Sequence, residues 1–495
     1  MGCTMRVFRA GSIEGSQISR HVVLSSLLWK LLERGGTQGI QFLLTIVLAW
    51  YLSPEQYGVI ALITIFIALA TVFIQGGLNT ALIQKADVDA VDFSSVFYLS
   101  VFVASCLYTV LYFMAPVIAH FYSTPVLIPV TRVLSLTLFP GAVNSIQVAK
   151  VSRSMQFKRY FLSSISGIVG SGVLGVILAY KGYGVWALVA QQLANSVLVT
   201  VILWYTVKWR PCLRFSWARM RYLYSFGWKL LVSGLLDTLF KNIYGLVIGK
   251  VFSRDMLGYF NRGQQFPTVI AANLDGSIQS VMMPVLSANQ SNLPFVRSMA
   301  RRSIKTSSYI LFPLMLGLAV VAKPMVSVVL TDKWLPCVPF LQLSCLAYAL
   351  YPIHTANLTA INALGRSDIF LKLEIIKKTL VILMLALTIR FGIYAMAVGQ
   401  VITGILATFI NAYPNKRLLN YSYWEQLSDL LPSFLLALIM ASCVFFVCHF
   451  VAGSALKLAT GVISGAFVFV LLSTYFKLDS YIFLIQTIRG VMNER

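Results

Sequence analysis

From Leu52 to Gly77 the chain reads LSPEQYGVIALITIFIALATVFIQGG. A Ser-Pro turn leads into an apolar block, and between Gln56 and Gln75 no charged side chain occurs. As a helix that block spans roughly 27 Å at ~1.5 Å per residue, close to the ~30 Å of a hydrocarbon layer. Two hundred residues later the turn returns as Phe252-Ser253-Arg254-Asp255 through Gly258. Gly76-Gly77-Leu78-Asn79-Thr80 likewise returns as Gly276-Ser277-Ile278-Gln279-Ser280. A membrane-crossing block that recurs with its turn decides the fold class: an all-α polytopic membrane protein containing two copies of one unit.

The composition agrees. Of 495 residues, 58% are hydrophobic and 11% charged, whereas a soluble domain carries about 25% charged residues. A soluble enzyme, a disordered chain and a disulfide-stapled secreted domain are excluded. So is an outer-membrane barrel, whose strands would alternate over ~10 residues. Fourteen candidate spans centre near residues 40, 65, 105, 138, 171, 195, 238, 272, 312, 350, 382, 402, 440 and 465. The polar first 20 residues hold no apolar h-region, so no signal peptide is expected. The seven cysteines form no CxxC pair or Cys/His cluster, and no metal or cofactor site is expected.

Net charge is +23. Topology accounts for it without nucleic acid, because helical membrane proteins concentrate Lys and Arg in cytoplasmic loops. With the N-terminus inside, most of the 39 Lys and Arg fall in or beside cytoplasmic segments, in clusters such as Lys150/Arg153/Lys158/Arg159 and Arg297/Arg301/Arg302/Lys305. The expectation is a multi-pass protein of the bacterial cytoplasmic (inner) membrane with both termini cytoplasmic.

The repeat runs through most of the chain. Trp29-Lys30-Leu31-Leu32 matches Trp228-Lys229-Leu230-Leu231, Phe139-Pro140 matches Tyr351-Pro352, and Gly184-Val185-Trp186-Ala187 matches Gly392-Ile393-Tyr394-Ala395. The offsets drift only from 199 to 213. A repeat of six helices, an even number, keeps both copies in one orientation, related by an axis along the membrane normal. The expected division is a cytoplasmic segment 1–24, a six-helix lobe 25–221, a second lobe 222–420, and 421–495 with two extra helices and a tail. A central cleft opened alternately by rocking lobes follows from that plan.

Ionisable groups inside spans cost about 2.5–3.5 kcal/mol each on insertion scales, so they mark a lined cavity or a buried pair. Span seven carries Lys229, Ser233, Asp237 and Lys241 at intervals of four, near one helical face. Its repeat partner carries Lys30, Glu33, Arg34, Gln38 and Gln41. A polar, mostly basic stripe on both first helices suits a cleft wall that holds an anion; an Asp237–Lys241 pair that neutralises itself is the plainer reading. Arg132 either faces the cleft or snorkels outward. Asp275, beside Gly276, is a carboxylate placed to take up a proton or Na⁺, and a helix break there would expose carbonyls. His354, Asn357 and Asn362 read as packed polar interior. No nucleophile elbow, zinc-protease helix, phosphate-binding glycine loop or acidic pair on a loop occurs, and the outer loops are short, so no enzyme is expected.

Several stretches resemble the polysaccharide-exporter flippases (Wzx-type, colanic-acid-type) of the multidrug/oligosaccharidyl-lipid/polysaccharide superfamily. They are Gln38-Gly39-Ile40-Gln41-Phe42, Leu52-Ser53-Pro54-Glu55 with Tyr57-Gly58, Ala81-Leu82-Ile83-Gln84-Lys85, Ser233-Gly234-Leu235-Leu236-Asp237, Leu257-Gly258-Tyr259-Phe260 and Gly365-Arg366-Ser367-Asp368. The resemblance covers about residues 25–430. It implies export of an oligosaccharide on undecaprenyl pyrophosphate, with Lys30, Arg34, Lys229 and Lys241 as candidate contacts to diphosphate or acidic sugar. Asp237 and Asp275 become candidates for coupling to H⁺ or Na⁺. Implied partners are the polyprenyl-linked oligosaccharide, membrane lipids, and a polysaccharide polymerase and glycosyltransferases. A drug or cation antiporter, a peptidoglycan-precursor flippase and, from another class, a membrane glycan polymerase or ligase remain the competing readings.

Overall fold

The computed structural model describes residues 20–85, 88–154 and 156–493, without the side chains of 20–28, 30–34, 84, 222, 226 and 487–493. Among the described residues there are helices and no strands. The first lobe runs α1 (Arg20–Tyr51), α2 (Pro54–Gln75), α3 (Leu78–Gln84), α4 (Ala90–Phe121), α5 (Leu127–Leu134), α6 (Leu138–Arg153), α7 (Phe157–Tyr180) and α8 (Val185–Val207). The second runs α9 (Trp217–Val251), α10 (Arg254–Ala288), α11 (Leu293–Val320), α12 (Ala322–Val329), α13 (Val338–Ala349), α14 (Tyr351–Ala363), α15 (Ser367–Thr388) and α16 (Ile393–Leu418). Then come α17 (Tyr423–Phe450), α18 (Ser454–Tyr475) and α19 (Asp479–Asn493).

Among the described residues twelve helical segments have the length and apolar composition to cross a bilayer. The other two expected spans are helices as well, α1 and α15. Their polar content keeps them outside that set: Gln38 and Gln41 in α1, and Lys372, Glu374, Lys377 and Lys378 in α15. The span expected near 138 is broken into α5 and α6, and the one near 350 is made of α13 and α14. The helix break considered at Asp275-Gly276 does not occur, because α10 runs without interruption from Arg254 to Ala288.

The repeated turn is a pair of matching helix starts. Ser53 Oγ accepts from the Gln56 amide, and Gln56 Oε1 accepts from the Ser53 amide at 2.9 Å. Ser253 Oγ accepts from the Met256 amide at 3.2 Å. These caps satisfy amides that a helix start leaves unpaired. Apolar tails offer helices no hydrophobic drive to associate, so close packing in a membrane relies on small residues. On α7, Gly167, Ser171 and Gly175 recur every four residues and face α8; a Cβ at Gly175 would lie 2.8 Å from Gln191 Cβ. Gly172 turns to α1, where a Cβ would lie 3.0 Å from Leu44.

At the Ser53/Ser253 end the lobes touch along α2 and α10. A Cβ at Gly58 would run into the Arg254 carbonyl oxygen, and a Cβ at Gly258 into that of Pro54. The two glycines hold mirrored places in the repeat, so one backbone-on-backbone contact is made twice. Glu55 and Arg254 pair across it at 2.9 Å.

Candidate functional site

The stripe on α9 is open. Lys241 Nζ lies 2.8 Å from Asp237 Oδ2, with the two side chains 72% and 55% exposed. The self-neutralising pair read from the spacing is present, yet neither group is buried. Lys229 is exposed too, about 12 Å further along the helix from Asp237 at ~1.5 Å per residue. Lys241 lines a pocket of about 270 Å³ to which Thr64 of α2, Asn242 of α9, Asn261 and Gln264 of α10, and Gln400 of α16 also contribute. Gln264 Nε2 donates to Gln400 Oε1 at 2.9 Å, which ties the α10 and α16 walls together. The pocket therefore joins both lobes, and its polar lining is amides, the two hydroxyls of Thr64 and Tyr244, and one ammonium, a donor-rich set suited to an anionic or glycan group.

Asp275 lies elsewhere, on the second lobe's polar seam. Its Oδ1 accepts from the Thr355 hydroxyl of α14, and its Oδ2 from Gln279 Nε2 at 3.2 Å. Beside it, His354 Nδ1 and Asn411 Nδ2 are 2.9 Å apart, and Glu374 and Lys377 of α15 pair at 2.5 Å. Asn357 is joined to Gln426 at 2.8 Å and to Asn415 at 2.5 Å, in a buried triad that pins α17 to α14 and α16. His354 and Asn357 thus form packed polar interior, as read from the sequence, whereas Asn362, read with them, is exposed.

The structure does not gather all the expected cations. Arg132 stacks 4.2 Å from the Tyr112 ring and its Nε donates to the Tyr112 carbonyl at 3.4 Å. Those contacts hold it, from α5, against α4, and among the described residues none joins it to the α9 stripe. The side chains of Lys30 and Arg34 lie outside the described residues.

Sequence reasoning missed Arg262, which is 4% exposed. Its guanidinium sits 4.2 Å from the Tyr57 ring and 5.0 Å from the Trp334 ring. An arginine eight residues inside a repeat helix was the available signal. The amides of the pocket were missed too, because single Gln and Asn residues in apolar blocks carry no pattern.

Contacts at and just before the start of α9 hold it to the first lobe. Arg219 pairs with Asp89, and Lys85 pairs with fully buried Asp92 at 2.7 Å. The Cys212 and Ser216 amides donate to Ser94 and Ser95 at 2.8 and 3.0 Å. Burial would raise the Asp89 pKa, but hydrogen bonds from Arg219 and from backbone amides outweigh it and hold the carboxyl below its ordinary 3.8.

Comparison with known proteins places this geometry. The chain is similar to the teichuronic acid biosynthesis protein TuaB of Bacillus subtilis, 25% identical with 82% of this chain and 86% of that one covered. It is similar to the lipopolysaccharide biosynthesis protein WzxC of Escherichia coli, 23% identical with 85% and 86% covered. Its fold resembles that of the lipid II flippase MurJ in an inward closed conformation, with a TM-score of 0.77 at 16% identity, covering 91% of this chain and 98% of that one. Residues 47–339 match the profile of a family described as polysaccharide biosynthesis protein. With well over half its length matched, a two-lobed helical bundle and a cation open to the pocket between lobes, this chain belongs to the polysaccharide biosynthesis protein family.

Proposed function

We propose that the protein is a flippase that carries undecaprenyl-pyrophosphate-linked oligosaccharide units across the bacterial cytoplasmic membrane for capsule, exopolysaccharide or O-antigen assembly. The observation that carries this reading is Lys241, an open ammonium on a polar pocket shared by both lobes. A diphosphate crossing a low-dielectric slab loses hydration worth several kcal/mol per charge unless cations replace it. Lys229 and Lys241 supply that replacement on α9, and Lys30 and Arg34 supply it on α1. The names of the relatives, biosynthesis proteins for teichuronic acid and lipopolysaccharide, support a glycan cargo.

The basic end of the bundle faces the cytoplasm, with both termini there, and the Ser53/Ser253 end faces outward. Residues 25–221 and 222–420 are the two bodies that rock. In this conformation the outer end is shut by the mirrored glycine contacts, and an inward-open state would admit cargo from the cytoplasmic leaflet. The headgroup enters the cleft, the polyprenyl tail stays in lipid, and the lobes then part outside. Proton or Na⁺ exchange at Asp237 or Asp275 resets the cycle. No bond is made or broken, so the protein is not an enzyme; a polymerase receives the unit and glycosyltransferases supply it.

Deletion of the gene tests the reading. Complete lipid-linked units stranded on the cytoplasmic leaflet are expected, and incomplete units would overturn the assignment in favour of an enzyme. In the complemented strain, Lys229→Ala with Lys241→Ala should abolish export while folded protein persists in the membrane. Normal export by that double variant would remove the cleft cations from the mechanism.

A further inference from the structure

We propose that Arg262 is a spring in the outer gate: a buried guanidinium without a counter-ion that keeps the closed state metastable, so that the lobes part readily outside. Its surroundings are neutral. Gln265 Oε1 accepts from Nη1 at 2.5 Å, the Tyr57 and Trp334 rings cover its faces, and Nη2 has no acceptor. Among the described residues it forms no ion pair.

The two rings come from opposite lobes. Tyr57 belongs to α2 and Trp334 to the segment after α12, and they meet edge to face with centroids 5.4 Å apart. Trp334 Nε1 also donates to the Ala49 carbonyl of α1 at 3.0 Å, and Lys333 Nζ to that of Trp50 at 2.7 Å. The mirrored Gly58 and Gly258 contacts bring the helix starts close enough to shut this chamber. Parting the lobes must draw Tyr57 away from Arg262 and admit water to it.

Closure thus strips a guanidinium of its hydration and returns two ring faces and one amide oxygen. Ring contacts recover part of the desolvation cost. An unmet charged donor does not recover the rest, and apolar replacement of buried charge is often stabilising. A methionine in that chamber would close it as well and would open less readily. Arg262 acts through gate geometry and is a positioning residue, not a contact to cargo. The proposal rests on the alternating-access reading.

Spin labels at Tyr183→Cys and Phe391→Cys, exposed and equivalent in the α7–α8 and α15–α16 loops, report the outer separation of the lobes. With native cysteines replaced and no glycolipid present, pulsed dipolar spectroscopy gives the open fraction. Arg262→Met should lower that fraction about tenfold, the scale of one unmet buried donor removed, with a melting temperature equal to or above that of the parent. Arg262→Lys keeps the charge but loses the flat stack, and should raise the open fraction. The expected order is Lys above Arg above Met. The reverse order would make Arg262 a latch and overturn the proposal, as would three equal fractions. If Arg262→Met does not fold, the Lys arm decides alone: a fraction at or below the parent's overturns it. Because no cargo is present, a wrong cargo assignment leaves this order intact, and a wrong spring leaves the deletion phenotype intact.

Discussion

The helix pairs α1/α7 of the first lobe and α9/α15 of the second are repeats of the same elements, and they pack differently. In the first lobe α1 lies along α7. In the second, α9 lies along α2, α3 and α4 of the other lobe, and a cation–ring contact from Lys378 to Phe240 links it to α15. The difference lies in side-chain bulk. Small residues let α1 approach α7, with Gly172 of α7 against Leu44 and Gly36 of α1 against Phe161, whereas α15 presents Leu371, Ile375, Ile376, Leu383 and Leu387, all exposed. A helix can settle closely on the first surface and not on the second. The turn after each second helix makes the same point. Gly76 and Gly77 adopt φ of +51° and +68° and end α2, while Gly276-Ser277 stay inside α10. Serine is strained at positive φ and glycine is not. Into the break made by Gly77 fits Gly227 of α9, whose carbonyl a Cβ on Gly77 would overlap. Identical topology therefore yields one lobe that keeps its first helix and one that lends it.

This contrast can be broken at its joint. Gly77→Val combines a branched residue at positive φ with a clash against α9 and should cost about 4 kcal/mol of stability, read as melting temperature in detergent. The mirrored Ser277→Gly should cost only about 1 kcal/mol, as for glycine inside any helix. A similar drop for both would refute the argument from backbone conformation. Asp92→Ala removes the buried partner of Lys85 and should cost about 3 kcal/mol, the low end for breaking a buried pair because Lys85 is part-exposed. Limited proteolysis should then cut first in the 208–216 linker. Gly167→Ala pushes a methyl toward Val199 and should cost about 2 kcal/mol as overpacking; Thr379→Ala, at about the equivalent turn of exposed α15, should cost little by the same measurement.

The smallest effect is a pH dependence. The Asp89 carboxyl titrates below its ordinary 3.8 in the folded protein, because Arg219 and backbone amides favour its charged form over the opposing effect of burial. Its stabilising share is therefore complete above the unfolded value and is lost as pH falls through the lower folded one. Asp89 is half exposed, so that share is below about 1 kcal/mol. Melting temperatures of parent and Asp89→Asn should differ slightly from pH 5 to 8 and converge only as pH falls below the ordinary 3.8. Convergence already at pH 6 would place the coupling in another group.

Much of this was legible beforehand, for local reasons. Block length and hydropathy set the helices, the matched turns exposed the repeat, and four-residue spacing put Asp237 beside Lys241. Those features depend only on neighbours along the chain. Arg132 shows where that reasoning stops, since its helix was readable but its stacking on Tyr112 of α4 was not. The acceptance of a Thr355 proton by Asp275, the Gln264–Gln400 bridge and the enclosure of Arg262 likewise join residues 70 to more than 270 positions apart. By itself the sequence determined a two-lobed bundle of membrane helices with a basic stripe on each first helix. Only the tertiary structure decided which lobe α9 lies against, which polar groups share a pocket and which end is shut, because these follow from how closely two surfaces can approach, and no single helix carries that quantity.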